Sequence, residues 1–112
     1  MKTMTRSTAG VLVVALDGEM DTIDTDGLGH SLEQIAAESP KSVVLDFSGV
    51  AYIASCGIAM LIHFVQGVRR AGGQVRIASV NPRVQLVLDM VNLRSLVQFD
   101  GTVDEAAARL NG

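Results

Sequence analysis

The stretch Val43-Val-Leu-Asp-Phe-Ser-Gly-Val-Ala-Tyr-Ile-Ala-Ser-Cys-Gly-Ile-Ala-Met-Leu-Ile-His63 decides how the chain folds. It opens with an apolar run, Val43 to Phe47, broken only by Asp46, which predicts a central strand. The small residues Ala54-Ser55-Cys56-Gly57 then predict a turn. Ile58, Leu61, Ile62, Val65 and Val68 recur at the spacing of one helix face and predict a helix over 56–71, with His63, Gln66, Arg69 and Arg70 on its polar side. The unit is a strand, a loop and a helix with a serine in its first turn. That first turn leaves backbone N–H groups without intrahelical partners, and the helix dipole favours negative charge beside them. Ser55 therefore has two readings. It caps the helix, a contribution of ~1 kcal/mol, or it carries a phosphate that the same geometry stabilises.

Upstream, Val11-Leu-Val-Val-Ala-Leu16 is a continuous apolar run, the pattern of a strand buried on both faces. Gly10 marks a turn before it, and polar residues 2–8 predict an edge strand or a frayed arm. Asp17-Gly18 predicts a turn after it, with Glu19-Met20-Asp21-Thr22 as a loop. Leu28, Leu32, Ile35 and Ala36 predict a helix over 24–38, weakened by Gly27 and Gly29 and stopped by Ser39-Pro40. Downstream, Gly72-Gly73 ends the second helix and Val75 to Val80 reads as a strand. Asn81-Pro82 starts a third helix with an N-cap and a first-position proline, its stripe being Val84, Val87, Leu88 and Val91. Leu96 to Phe99 is a short strand at most. Thr102-Val-Asp-Glu105 has the form of a capping box for a last helix that buries Val103, Ala106, Ala107 and Leu110. The order β-β-α-β-α-β-α-β-α predicts an α/β fold: a mixed, largely parallel sheet of four to five strands packed with about four helices.

Composition narrows the function. The 112 residues, 48% hydrophobic, suit one packed domain over 1–112. A net charge of −3 with scattered Lys and Arg, and 4% aromatic residues, supply neither the basic stripe nor the stacking platforms of a nucleic-acid binder. One cysteine rules out an internal disulfide and suits a reducing compartment. Residues 1–8 lack the apolar core of a signal peptide, and no apolar run is long enough to span a bilayer, so a cytoplasmic protein without membrane insertion is expected. There is no phosphate-cradling glycine motif, no metal-ligand cluster and no cofactor signature.

Three segments resemble STAS domains, the bacterial anti-sigma factor antagonists, over nearly the whole chain. Gly18-Glu-Met-Asp21 is similar to their Gly-Glu-Leu-Asp turn, and Val44-Leu-Asp-Phe-Ser-Gly-Val50 to the strand before their phosphorylation loop. Ala54-Ser55-Cys56-Gly57-Ile58 occupies the place of their Asp-Ser-Ser-Gly-Leu signature. The resemblance implies that Ser55 is the phospho-acceptor of a partner that is both anti-sigma factor and serine kinase. It also implies that the unphosphorylated protein binds that partner and so frees a sigma factor. Glu19, Asp21, Ala54, Ser55, Cys56, Gly57 and Ile58 would form the partner-binding surface of a monomer or weak dimer. Two positions depart from the pattern: Ala54 replaces the aspartate and Cys56 the second serine. STAS domains also serve as cytoplasmic subunits of ABC-type lipid transporters, where they bind the ATPase without a phosphate switch, and this is the alternative function.

Bland roles compete at each of these sites. Cys56, as a nucleophile, lacks a paired histidine and reads better as a small packed residue, so no catalytic residue and no enzyme activity are expected. His63 falls on the polar side of its helix. Asp21 is either a partner contact or a turn residue. Asp46 must find a donor, and the backbone that follows it is the nearest source. Either carboxylate could lie near a phosphate on Ser55.

Overall fold

The computed structural model describes residues 2–20 and 25–111, and of residues 25 and 26 the backbone alone. Strand β1 (Lys2–Thr8) and strand β2 (Val11–Met20) form an antiparallel hairpin. Its two linking residues, Ala9 and Gly10, have the positive φ values, 51° and 79°, that a tight right-twisting hairpin requires. Helix α1 (Thr25–Ala37), strand β3 (Ser42–Ile53), helix α2 (Ser55–Arg70), strand β4 (Gln74–Ala78) and helix α3 (Pro82–Met90) follow. A 3-10 turn (Leu93–Ser95), strand β5 (Gln98–Asp100) and helix α4 (Val103–Asn111) complete the order. The sheet runs β1-β2-β3-β4-β5, parallel except for the first pairing, with β3 at its centre. Residues 2–8 are therefore an edge strand.

Side-chain alternation divides the core between the two faces of the sheet. Val14 and Leu16 of β2, Val43, Leu45 and Phe47 of β3 and Ile77 of β4 pack with α1, α2 and α3. Val11, Val13, Val44 and Ala78 meet Ala106 and Ala107 of α4 on the other face. The continuous apolar run of β2 is thus required, because both of its faces are covered. Asp46 follows Val44 on the α4 side, half-buried, and accepts a hydrogen bond from the Ser48 amide at 3.0 Å.

The strands are longer than the sequence predicts. Asp17-Gly18 makes no turn and Glu19-Met20 is not a loop: β2 continues to Met20, paired with β3 as far as Ile53. The glycines serve bulges instead. Register shifts fall at Ala15/Asp17 and at Gly18/Glu19, where Gly18 has φ 125°. A Cβ at Gly49 would lie 2.9 Å from the Leu16 carbonyl oxygen and 2.8 Å from Asp17 Oδ1. The turn expected at Ala54–Gly57 shrinks to Ala54 alone, because α2 begins at Ser55.

Downstream, the caps form much as the spacing predicts. Gly72 (φ 89°) ends α2, its amide donating to the Arg69 carbonyl and the Gly73 amide to that of Val68. Strand β4 stops at Ala78, short of Val80, because Ser79 turns to φ 61° and its amide donates to the Asp100 carbonyl. The last strand lies one or two residues later than predicted, at Gln98–Asp100, since the 3-10 turn takes up the chain before it. Asp100, its side chain 1% exposed, joins Arg76 of β4 at 2.6 Å and Arg109 of α4 at 3.0 Å. Thr102 Oγ1 accepts from the Glu105 amide at the start of α4. Hydrogen bonds from Gln85 and then Arg94 hold the Asp89 carboxyl below the usual carboxylate range.

Asn81 ties this framework to the end of β3. Its Oδ1 accepts from the Val84 amide at 2.8 Å, and its Nδ2 donates to the Val50 carbonyl at 2.8 Å. Asn81→Ala removes both bonds and should lower stability by about 1–2 kcal/mol, read as an earlier urea midpoint with an unchanged slope.

Candidate functional site

The parallel strands β2, β3 and β4 all point their C-terminal ends to one edge of the molecule, where ligand and partner sites of open α/β sheets form. The junction of β3 and α2 lies there. Its backbone is fixed from β2: the Ala54 amide donates to the Met20 carbonyl at 2.8 Å, and Met20 lies opposite Ile53 in the register. Gly57 packs directly on the same residue. A Cβ on Gly57 would lie 2.8 Å from Met20 Cβ and 3.0 Å from the Met20 carbonyl oxygen, closer than real side chains approach. Met20 itself is fully buried. Only glycine lets α2 start this close to β2.

The N-cap of α2 is Ala54, in extended conformation (φ −102°, ψ 171°), with no side-chain capping bond. Ser55 is the first helical residue, so it is not the cap that the sequence allows. Its side chain is exposed and makes no hydrogen bond among the described residues. The first turn holds no acidic residue, whereas the last holds Arg69 and Arg70, which suit the negative end of the dipole. A phosphate on Ser55 would face the positive end of the helix with nothing acidic in that turn to oppose it.

Around Ser55 the predicted surface residues divide. Glu19 is exposed and lies opposite Tyr52 in the β2–β3 register; Tyr52, 49% exposed, is a large side chain at this edge that the sequence reading passes over. A single tyrosine in an apolar strand end gives no signal of its exposure. Ala54, Cys56 and Ile58 are half-buried, Gly57 is buried, and Cys56 is a free thiol. Asp21 lies outside the described residues. Asp46 is no neighbour of Ser55: it precedes the end of β3 by enough residues to put it roughly 20 Å away along the strand, beyond the Debye length of about 8–10 Å. His63 is exposed. Among the described residues no three His, Cys, Asp or Glu side chains cluster to hold a metal, and no helix is long and apolar enough to cross a membrane.

Comparison with known proteins agrees with this architecture. A sequence model described as STAS domain matches residues 2–106. The anti-sigma F factor antagonist of Paenibacillus polymyxa is 28% identical over 97 residues, covering 85% of this chain and 83% of that protein. An anti-sigma factor antagonist from Mycobacterium paratuberculosis has the same fold, with TM-score 0.91 and 22% identity over 99% of this chain and 94% of that one. The Bacillus cell fate determinant SpoIIAA, in its phosphorylated form, aligns at TM-score 0.72 and 15% identity over 97% of this chain and 99% of that one.

Two substitutions separate a cap from a free hydroxyl and a packing glycine from a surface one. Ser55→Ala should change stability by less than about 0.5 kcal/mol, whereas a capping serine would lose ~1 kcal/mol. Gly57→Ala forces the α2 start away from Met20 and should destabilise by about 1–3 kcal/mol. Urea denaturation of the two variants beside wild type measures both.

Proposed function

This chain belongs to the STAS domain family, and from that premise we propose that it is an anti-sigma factor antagonist switched by phosphorylation at Ser55. Unphosphorylated, it binds an anti-sigma factor that is also a serine kinase and so releases a sigma factor for transcription. The observation that carries this reading is the exposed Ser55 hydroxyl at the first position of α2, left unused by a cap that falls to Ala54. It is supported by the proteins this chain is similar to, one an anti-sigma F factor antagonist and one solved in phosphorylated form.

The chemistry belongs to the partner. In its ATP site the Ser55 oxygen attacks the γ-phosphorus, the bond to the β-phosphate oxygen breaks, and the hydroxyl proton passes to a base of the kinase. This chain supplies a hydroxyl and a docking surface, acting in the cytoplasm as a monomer or weak dimer with no catalysis of its own. Glu19, Ala54, Cys56 and Ile58, with Asp21 from outside the described residues, complete that surface. Gly57 contributes through the path of the backbone. Phosphate adds roughly −1.5 to −2 charges and bulky oxygens to the centre of the contact, and both desolvation and bulk oppose binding.

The test is a pull-down from the source cells with wild type, Ser55→Ala and Ser55→Asp, followed by mass spectrometry of partners and of Ser55. A kinase-type ATPase should be retained by wild type and Ser55→Ala. Ser55→Asp should bind it roughly thirty-fold more weakly or worse, the effect of about 2 kcal/mol or more for an unpaired charge in an interface. A transporter ATPase held equally by all three forms would replace this reading with that of a transporter subunit.

A further inference from the structure

Helices α1 and α2 both follow parallel strands and lie side by side, with small residues, Gly29, Ala36, Ala59 and Gly67, along the groove between them. Gly29 of α1 faces Met60 of α2, a Cβ there falling 3.2 Å from Met60 Sδ. Seven residues further along both helices, Gly67 of α2 faces Ala36 of α1, where a Cβ would lie 3.9 Å from its methyl carbon. Between these two contacts the helices leave a cleft of about 410 Å³ that opens to solvent. Its apolar lining includes Leu32 and Phe64, which are 3% and 2% exposed. Glu33 and His63, both exposed residues, are its two charged or titratable lining groups.

We propose that this cleft binds a small uncharged amphiphile, an apolar ring system or short chain that ends in a hydroxyl. The volume falls within the range of about 300–1,000 Å³ typical of ligand sites. An engineered apolar cavity of about 150 Å³ takes benzene, so this cleft accommodates on the order of fifteen heavy atoms. Met60, with a flexible and polarizable thioether, allows one wall to adapt to the shape of the ligand. The head group follows from the two polar residues. Ionised Glu33 only accepts hydrogen bonds, so it needs a donor and repels a carboxylate. A hydroxyl donates to Glu33 and accepts from the His63 N–H. Ala59 lies one helical turn after Ser55 on α2, so the cleft begins beside the proposed switch, but binding there is measured without any phosphorylation and does not rest on that reading.

The probe is 2-naphthol, titrated into the full chain while amide and methionine-methyl NMR signals are followed. Saturable shifts centred on Gly29, Met60, His63 and Gly67 are expected, with a Kd at or below about 1 mM. Ala59→Leu, at an exposed position lining the cleft, should fill it and weaken binding at least about tenfold. Gly67→Leu, filling it from the other end, is the second variant should Ala59→Leu disturb signals beyond α2. The anion 2-naphthoate should bind at least about tenfold more weakly than 2-naphthol, and Glu33→Gln should remove that difference. Shifts that do not saturate, shifts centred elsewhere, or undiminished binding by the filled variants would overturn the site. Equal binding of 2-naphthoate and 2-naphthol to wild type would overturn the assigned head group.

Discussion

The close approach of Gly57 to Met20 is the constraint on which the functional edge depends. Met20 ends β2, buries its side chain completely and accepts the Ala54 amide through its carbonyl. With Gly57 pressed onto the same residue, the first turn of α2 is held from two sides. A one-residue link between a strand and a helix has few backbone solutions, and these contacts select one. The core is continuous beneath: Ile53, Leu61, Phe64 and Met20 belong to one cluster. Backbone direction at Ser55 is therefore set by packing, and a hydroxyl there is presented at a fixed place. A docking partner then loses less entropy than it would in ordering a loose loop.

Much of this was legible in the sequence, for identifiable reasons. Helix α3 announces itself through Asn81-Pro82, because capping chemistry is local and needs no knowledge of the rest of the fold. The run Val11–Leu16 gives a doubly buried strand, and the structure supplies the reason in α4, which covers the second face. Where the reading fails, glycine is the cause. Gly18 looks like a turn residue, yet it sits at a bulge that lets two long strands stay paired. A bulge and a turn draw on the same conformational freedom, and only the partner strand decides between them.

The site itself was half legible. The position of Ser55 at the head of a helix follows from periodicity, but the cap could not be placed, because assignment by pattern does not resolve one residue. That single residue matters chemically. With Ala54 as the N-cap the hydroxyl makes no capping bond; had the helix begun one residue later, Ser55 would be the N-cap and its hydroxyl would be bonded to the backbone. Asp46 shows the reverse: it is adjacent to the site in sequence terms, yet roughly 20 Å of extended strand removes it from any electrostatic role there.

Alanine at position 54 also redistributes the energetics of the proposed switch. An aspartate at the N-cap would satisfy an amide of the first turn and would oppose the helix dipole with its own charge. Its absence leaves the first turn of α2 without an acidic side chain, while Arg69 and Arg70 balance the other end. A phosphate on Ser55 would then meet attraction from the helix and no carboxylate repulsion from the preceding residue. The first turn of α2 itself sets no penalty against the phosphate, so the proposed switch assigns the penalty that separates the partners to the interface. There the phosphate loses solvent and meets whatever surface the partner brings. On that view the discrimination between the two states of Ser55 is written mainly in the partner, and this chain contributes a position for the charge that the packing of Gly57 on Met20 holds in place.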